Sequence, residues 1–346
     1  MKSCRSSLKH LLLGAVVLAL GGCAIVEPRE PPVLHGETMG SEWTVRIAGP
    51  SKAALPVAAL RAGVQAQFDA VDQALSTWRP DSALSRFNEN DSGDWMDIDP
   101  ELAIVMSYGL SLAEDSDGTY DLTVGPLVNL WGFGPEPRRT VTPDAAAIEG
   151  ARARVGWRRV EVDVAGHRAR KAPGVRVDLS SLGKGRGVDR VAEYLDAQGV
   201  ANYLIDLSGK LRAHGASSAG RPWRVAVEQP AADDPSGAPR TVPAVVELRD
   251  ASIATSGDYR KYFETGGQHY SHIIDPRTGW PVSHGTLSAT AIAKTCMAAD
   301  ALATMFMVMP PDPGRRLADA RGTPVLWISR ADGQFGLERS DSWPRP

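Results

Sequence analysis

The sequence predicts an α+β protein, one large domain behind an N-terminal export leader. Three observations carry this expectation. Strand-like and helical runs are interspersed without the regular alternation of a parallel strand–helix wind. The one long apolar run, residues 11–20, lies at the N-terminus and is too short to span a bilayer as a stable helix. No internal repeat divides the rest of the 346 residues, and a hydrophobic content of 43% suits a large core.

The leader comes first. Lys2, Arg5 and Lys9 precede the apolar run, and Gly21, Gly22 and Cys23 follow it. Positive residues, a short apolar stretch and small residues describe a cleaved export signal. A cysteine directly after the small residues resembles a lipoprotein processing site, with Cys23 as the lipidated first residue of the mature chain. A plain signal peptide with an incidental cysteine is the alternative. Acyl chains on Cys23 would hold the protein on a membrane, each buried CH₂ contributing about 0.8 kcal/mol. The expected organisation is a signal peptide over 1–22, a lipidated Pro-rich tether over 23–34 and one domain over 35–346. The protein would face the periplasm. Ala24 is not the aspartate linked to inner-membrane retention, so the choice of membrane stays open.

Residues 43–47 alternate like an opening strand. Leu60, Val64, Phe68, Val71 and Leu75 share one helix face. A second helix is expected over 101–114, ending at Asp117-Gly118. Residues 135–143 are a Pro-rich loop. Residues 160–164 and 175–179 are expected as strands. The next helix carries Val188, Val191, Ala192 and Leu195 as its apolar stripe and ends at Gly199. Strands are expected over 203–207, 223–228 and 244–248, with a Pro-, Asp- and Gly-rich loop between the last two. A Met-rich helix over about 297–309 stops before Pro310-Pro311, and residues 325–328 form the closing strand.

Composition excludes several function classes. With 38 basic and 41 acidic residues the formal net charge is -3, which gives no reason to expect nucleic acid. Of three cysteines, Cys4 leaves with the signal and Cys23 is lipidated, so Cys296 has no intramolecular partner. No Cys/His cluster suggests zinc. No second apolar stretch is long enough for a membrane span.

Four constellations carry chemistry. In Asp178-Leu179-Ser180-Ser181-Leu182-Gly183-Lys184-Gly185 a strand ends in an acid, a small-residue turn follows, and a helix opens with lysine. Helix N-terminal amides favour phosphate, and Lys184 would add a point charge for a pyrophosphate. The spacing is neither a Walker loop nor the GxGxxG fingerprint, and a tight turn with an exposed lysine has the same residues. In Ala298-Ala299-Asp300-Ala301-Leu302-Ala303-Thr304, Asp300 and Thr304 share a helix face. Carboxylate, hydroxyl and backbone carbonyl are hard oxygen ligands suited to Mg²⁺ with phosphate; a helix-capping Asp and a Thr bonded to its own helix is the bland reading.

Residues 117–127, with Thr119-Tyr120-Asp121, could present polar groups to a ligand edge or form an ordinary loop. Nearby, residues 129–135 form either an aromatic wall or core. Thr255-Ser256-Gly257-Asp258-Tyr259 is followed by a run holding His272 and Asp275. An imidazole titrates near neutrality and can take a proton from a hydroxyl nucleophile, though for a lone His a structural role bonded to backbone is the commoner case. Trp78 either stacks on a flat ring or is buried at a helix end.

Together, from His35-Gly36-Glu37-Thr38-Met39-Gly40 to the C-terminal strands, these segments resemble the ApbE family, the FAD:protein FMN transferases. The resemblance implies that Met39, Trp78, Thr119, Tyr120, Asp121, Asp178, Lys184 and Ile274 contact FAD. It implies that Ser181, through its carbonyl, binds Mg²⁺ with Asp300 and Thr304, and that His272 takes part in catalysis. Where many relatives have Tyr, Trp78 stands; where some carry a second acid, Ala303 stands. Many relatives have Gly-Gly-Asp or Gly-Gly-Glu where this chain has Ser208-Gly209-Lys210, and Arg186 replaces a frequent Tyr.

The implied reaction is Mg²⁺-dependent transfer of FMN from FAD to a Thr or Ser hydroxyl of a partner protein, with release of AMP. The implied acceptors are subunits of membrane redox complexes, such as sodium-translocating NADH:quinone oxidoreductase. The family also favours the inner membrane. A Mg²⁺-dependent FAD pyrophosphatase and a non-catalytic FAD-binding lipoprotein are the competing expectations.

Overall fold

Helices and antiparallel strands alternate irregularly along the chain, as an α+β protein requires. The structure, a computed structural model, describes residues 32–49, 55–136, 140–229, 242–259, 261–331 and 334–345. The export signal, Cys23, most of the tether and most of the 229–243 loop lie outside the described residues.

The chain opens with β1 (Val33–Thr38), β2 (Ser41–Ile47), α1 (Val57–Leu75), α2 (Ala83–Glu89), β3 (Met96–Asp97) and α3 (Pro100–Asp115). Next come α4 (Gly125–Leu130), α5 (Ala145–Arg152), β4 (Val160–Asp163), β5 (Arg168–Lys171) and α6 (Gly183–Ala197). A run of strands follows: β6 (Tyr203–Leu207), β7 (Lys210–His214), β8 (Trp223–Val227), β9 (Ala244–Leu248), β10 (Ala251–Gly257), β11 (Tyr262–Thr265), β12 (Gln268–Ser271) and β13 (Thr286–Ala293). The chain closes with α7 (Cys296–Val308), α8 (Pro311–Arg321), β14 (Val325–Ala331) and β15 (Gln334–Arg339).

The main sheet has the order β1-β2-β6-β7-β10-β13-β14-β15, and each neighbouring pair is antiparallel. Side chains alternate between its faces. In β14, Val325 and Trp327 enter one core with α3 and α7, while Leu326 and Ile328 enter another under the β8–β9 hairpin. Helices α1 and α6 cover the β1-β2-β6 end. There the stripe Leu60, Val64 and Phe68 meets Val188, Val191, Ala192 and Leu195 over Tyr203, Ile205 and Leu207. Each of the large aliphatic side chains buried there contributes about 1.5–3 kcal/mol.

Helix α7 is buried nearly all round. It starts because the Thr295 side chain accepts from the Ala298 N–H, and it stops where Pro310 and Pro311 cannot continue it. Among the described residues no helix is long and apolar enough to cross a membrane.

Two expectations need correction. Residues 175–179 are extended, with Val175, Val177 and Leu179 buried, yet they join no ladder. The Asn88 side chain takes both polar groups of Val177, donating to its carbonyl at 2.8 Å and accepting from its N–H at 2.7 Å. A side chain thus stands where a neighbouring strand would be. The strand over 325–328 does not close the sheet either, because β15 pairs beyond it.

Candidate active site

Two segments expected as separate constellations lie side by side. The Asp178 N–H donates to the Leu122 carbonyl at 2.7 Å, and the Tyr120 and Ser181 hydroxyls are 2.8 Å apart. Thr119 and Tyr120 are buried, and burial pushes the Tyr120 phenol far above its usual range. The Asp121 carboxylate accepts from the N–H and hydroxyl of Thr123 and from the Trp157 N–H. It therefore organises its own loop, while burial raises its pKa. Asp178 accepts from the Ser180 N–H at 2.7 Å, which shapes the turn into α6.

At the start of α6, Lys184 donates from Nζ to Ser41 Oγ at 2.8 Å. Ser41 also lines an open cleft of about 410 Å³ with Gly40, Glu42, Thr44, Asp206 and Ser208. Met39 forms the turn between β1 and β2 with φ +48° and packs against both neighbouring cores.

Helix α7 meets α6 backbone to backbone. A Cβ at Gly185 would lie 2.5 Å from the Cys296 carbonyl oxygen. This close approach lets the Gly185 N–H donate to Asp300 Oδ2 at 3.1 Å. The other oxygen, Oδ1, faces Lys210 Nζ at 3.2 Å, and Lys210 also donates to the Thr255 carbonyl at 2.6 Å. Asp300 is 2% exposed. Burial pushes its carboxyl up, while Lys210 and the Gly185 amide oppose that shift. Asp300 is no helix cap, since Thr295 has that place. One turn along, the Thr304 hydroxyl meets Ser256 Oγ at 3.0 Å. Below them Asp189 accepts from the N–H groups of Cys296 and Met297 and pairs with Arg212. Cys296 is a buried free thiol, and burial raises its pKa.

His272 follows β12. Its Nδ1 is 3.0 Å from the Lys261 carbonyl, and its ring is edge-on to Phe133. A carbonyl only accepts, so Nδ1 carries the proton in this contact. Ile274 is buried in an aromatic cluster with Trp131 and Phe263. Residues 129–135 are therefore both alternatives at once: Trp131 is core, donating to the Gly279 carbonyl, and Phe133 borders the histidine. Trp78 is 61% exposed, so it does not fill a core position.

The geometry thus gathers Tyr120, Ser181, Asp178 and Lys184 around the start of α6, facing Asp300 and, one turn further along α7, Thr304, with His272 and Ile274 at the aromatic cluster. The sequence reading missed Ser41, Asp189 and the Asp300–Lys210 contact. The glycines at 183, 185 and 187 were the available signal for a close helix approach; nothing local points Lys210 at a residue ninety positions away.

Comparison with known proteins identifies the family. The model of the ApbE family matches residues 39–327. A Vibrio cholerae protein named FAD:protein FMN transferase is 40% identical over 330 residues, 95% of this chain and 96% of that one. An Escherichia coli K12 protein of the same name is 36% identical, covering 95% and 94%. Among solved structures, the flavin transferase ApbE from Vibrio cholerae superposes with a TM-score of 0.81 at 37% identity, covering 90% of this chain and 98% of that one. The apo form of the Pseudomonas stutzeri flavinyl transferase ApbE gives 0.81 at 36% identity, covering 90% and 95%.

Proposed function

The chain belongs to the ApbE family and is an enzyme that transfers FMN from FAD to a protein; we propose that the acceptor atom is a Thr or Ser hydroxyl, that Mg²⁺ assists, and that AMP leaves. The observation that carries this reading is the bond from the Gly185 N–H to Asp300, next to Lys184. It puts a buried carboxylate beside the phosphate-attracting end of α6.

The residues fit a hard divalent ion. Both Asp300 oxygens already attract positive partners, an amide hydrogen and an ammonium. Thr304 supplies a hydroxyl one helical turn on, and Ser181 would supply its carbonyl. No sulfur or imidazole enters this donor set, which suits Mg²⁺. When bound, the ion supplies charge neutralisation for the pyrophosphate and for the departing AMP oxygen.

The chain's own residues do the rest. Lys184 and the α6 amides hold the pyrophosphate. Met39, Trp78, Ile274 and the Thr119-Tyr120-Asp121 segment hold the flavin nucleotide, with Trp78 offering an exposed ring for stacking. Asp178 fixes the turn that carries Ser181. His272, with Nδ1 bound to Lys261, takes the hydroxyl proton at Nε2 as the oxygen attacks the FMN phosphorus. The phosphorus–oxygen bond to AMP breaks and a phosphoester to the acceptor forms.

The leader residues support lipid anchoring through Cys23, with the domain in the periplasm and subunits of membrane redox complexes as acceptors. A shared membrane raises the encounter rate between enzyme and acceptor. Cys23→Ser would then release the protein from the membrane fraction.

The test of the reaction incubates the protein with FAD, Mg²⁺ and a candidate acceptor domain, read by the intact mass of the acceptor. Addition of one FMN, lost with EDTA, is the expected result. Free FMN and AMP beside an unmodified acceptor would instead support a pyrophosphatase.

A further inference from the structure

The hairpin between β6 and β7 turns on two residues, Ser208 and Gly209, with φ of +52° and +82°. Both positive angles describe the turn whose twist suits a tight hairpin, and the Gly209 N–H bonds Asp206 Oδ1 at 2.9 Å. The turn fixes the next residue, Lys210, as the partner of Leu207 in β6 and of Ala254 in β10. Its side chain, 13% exposed, reaches Asp300 Oδ1 at 3.2 Å and the Thr255 carbonyl at 2.6 Å. A buried carboxylate on α7 is therefore met by an ammonium from the central sheet.

A carboxylate buried to this extent needs a compensating positive charge. In a metal site the ion provides it; here the chain carries one of its own.

We propose that Lys210 is a built-in countercation for the metal-binding carboxylate: it holds Asp300 in place when no divalent ion is bound and competes with that ion for Oδ1. Lys210 is a positioning residue, acting on the reaction through Asp300. The consequence is a fold that tolerates metal loss and a site that binds its metal more weakly than it would without the lysine. This inference rests on the reading of Asp300 as a metal ligand.

The test uses the full chain in detergent, with thermal unfolding in EDTA and in Mg²⁺, and with Mn²⁺ alone titrated by the resonance of the free ion. Wild type should unfold at nearly the same temperature in EDTA and Mg²⁺. Lys210→Met should lose on the order of 5 °C in EDTA, recover in Mg²⁺, and bind Mn²⁺ about tenfold more tightly, a change that 1.4 kcal/mol produces. Lys210→Arg should behave as wild type. The double variant Lys210→Met with Asp300→Asn should regain stability in EDTA, because no buried charge remains unpaired. Unchanged stability and Mn²⁺ affinity in Lys210→Met would overturn the proposal. If Lys210→Met does not fold, the double variant decides: folded supports the proposal and unfolded overturns it. Mn²⁺ binding that survives Asp300→Asn would sink the metal reading instead, while the comparison in EDTA still tests the ion pair.

Discussion

Around Asp300 the site is made of two helices in backbone contact, whereas around His272 it is made of a hairpin end and a layer of aromatic rings. At the first place Gly185 leaves no room for a Cβ, and Asp300 and Asp189 tie α7 to α6 through three backbone N–H groups. At the second, the Lys261 carbonyl and the edge of the Phe133 ring are among the neighbours of a half-buried imidazole. The difference fits the two tasks proposed for these regions. Binding charged phosphates calls for donors that do not reorganise. Taking a proton from another protein's hydroxyl calls for a group that the incoming chain can reach.

The comparison can be broken most sharply at Asp300. Asp300→Ala should reduce Mg²⁺-dependent AMP release by at least about 10²-fold, and turnover at the wild-type rate would remove it from the metal site. His272→Ala should slow transfer by about 10²–10⁴-fold while moving unfolding free energy by no more than about 0.5 kcal/mol. A large loss of stability would mean that the histidine is structural.

The rigid end should respond the other way. Gly185→Ala should destabilise the fold by about 1–3 kcal/mol, because the new Cβ meets backbone, not a flexible side chain. Denaturant unfolding reads this, and an unchanged midpoint would show that the helices can separate freely.

Asp258, at the end of β10, tests the strands between the two regions. Its Oδ1 is buried with no hydrogen-bond partner among the described residues, and burial raises its carboxyl from 3.8 to about 6. The folded chain therefore keeps a proton that the unfolded chain gives up. Its contribution to stability is full below about pH 4 and falls as pH rises to about 6. Asp258→Asn should flatten that slope and leave the variant more stable at neutral pH, by on the order of 2 kcal/mol. Parallel pH profiles would show that the group is solvated. The smallest effect is expected at exposed Trp78: Trp78→Ala should raise KM for FAD by a factor equivalent to about 0.5–1.5 kcal/mol, with kcat little changed.

Much of the framework was legible before the structure, because local pattern and burial agree in it. The α1 stripe Leu60, Val64, Phe68, Val71 and Leu75 is buried at every position. The strands expected over 203–207 and 244–248 have those same bounds, and Pro310 ends α7 as expected. Residues 175–179 misled because alternating burial is common to any extended segment, and whether it joins a sheet depends on what faces its backbone. Asn88, almost ninety residues away, settled that.

The candidate site divides along the same line. Residue types and short spacings nominated Lys184, Asp300, Thr304 and His272, since helix periodicity and functional-group chemistry are local properties. By itself the sequence marked many of the elements and their apolar faces, and offered candidate polar groups for a ligand. Tertiary structure alone decided that Gly185 meets Asp300, that Lys210 meets it from the other side, and that His272 is held by Lys261. Those contacts follow from the order of strands in the sheet and from how closely two helices can pack, quantities that no stretch of neighbouring residues encodes.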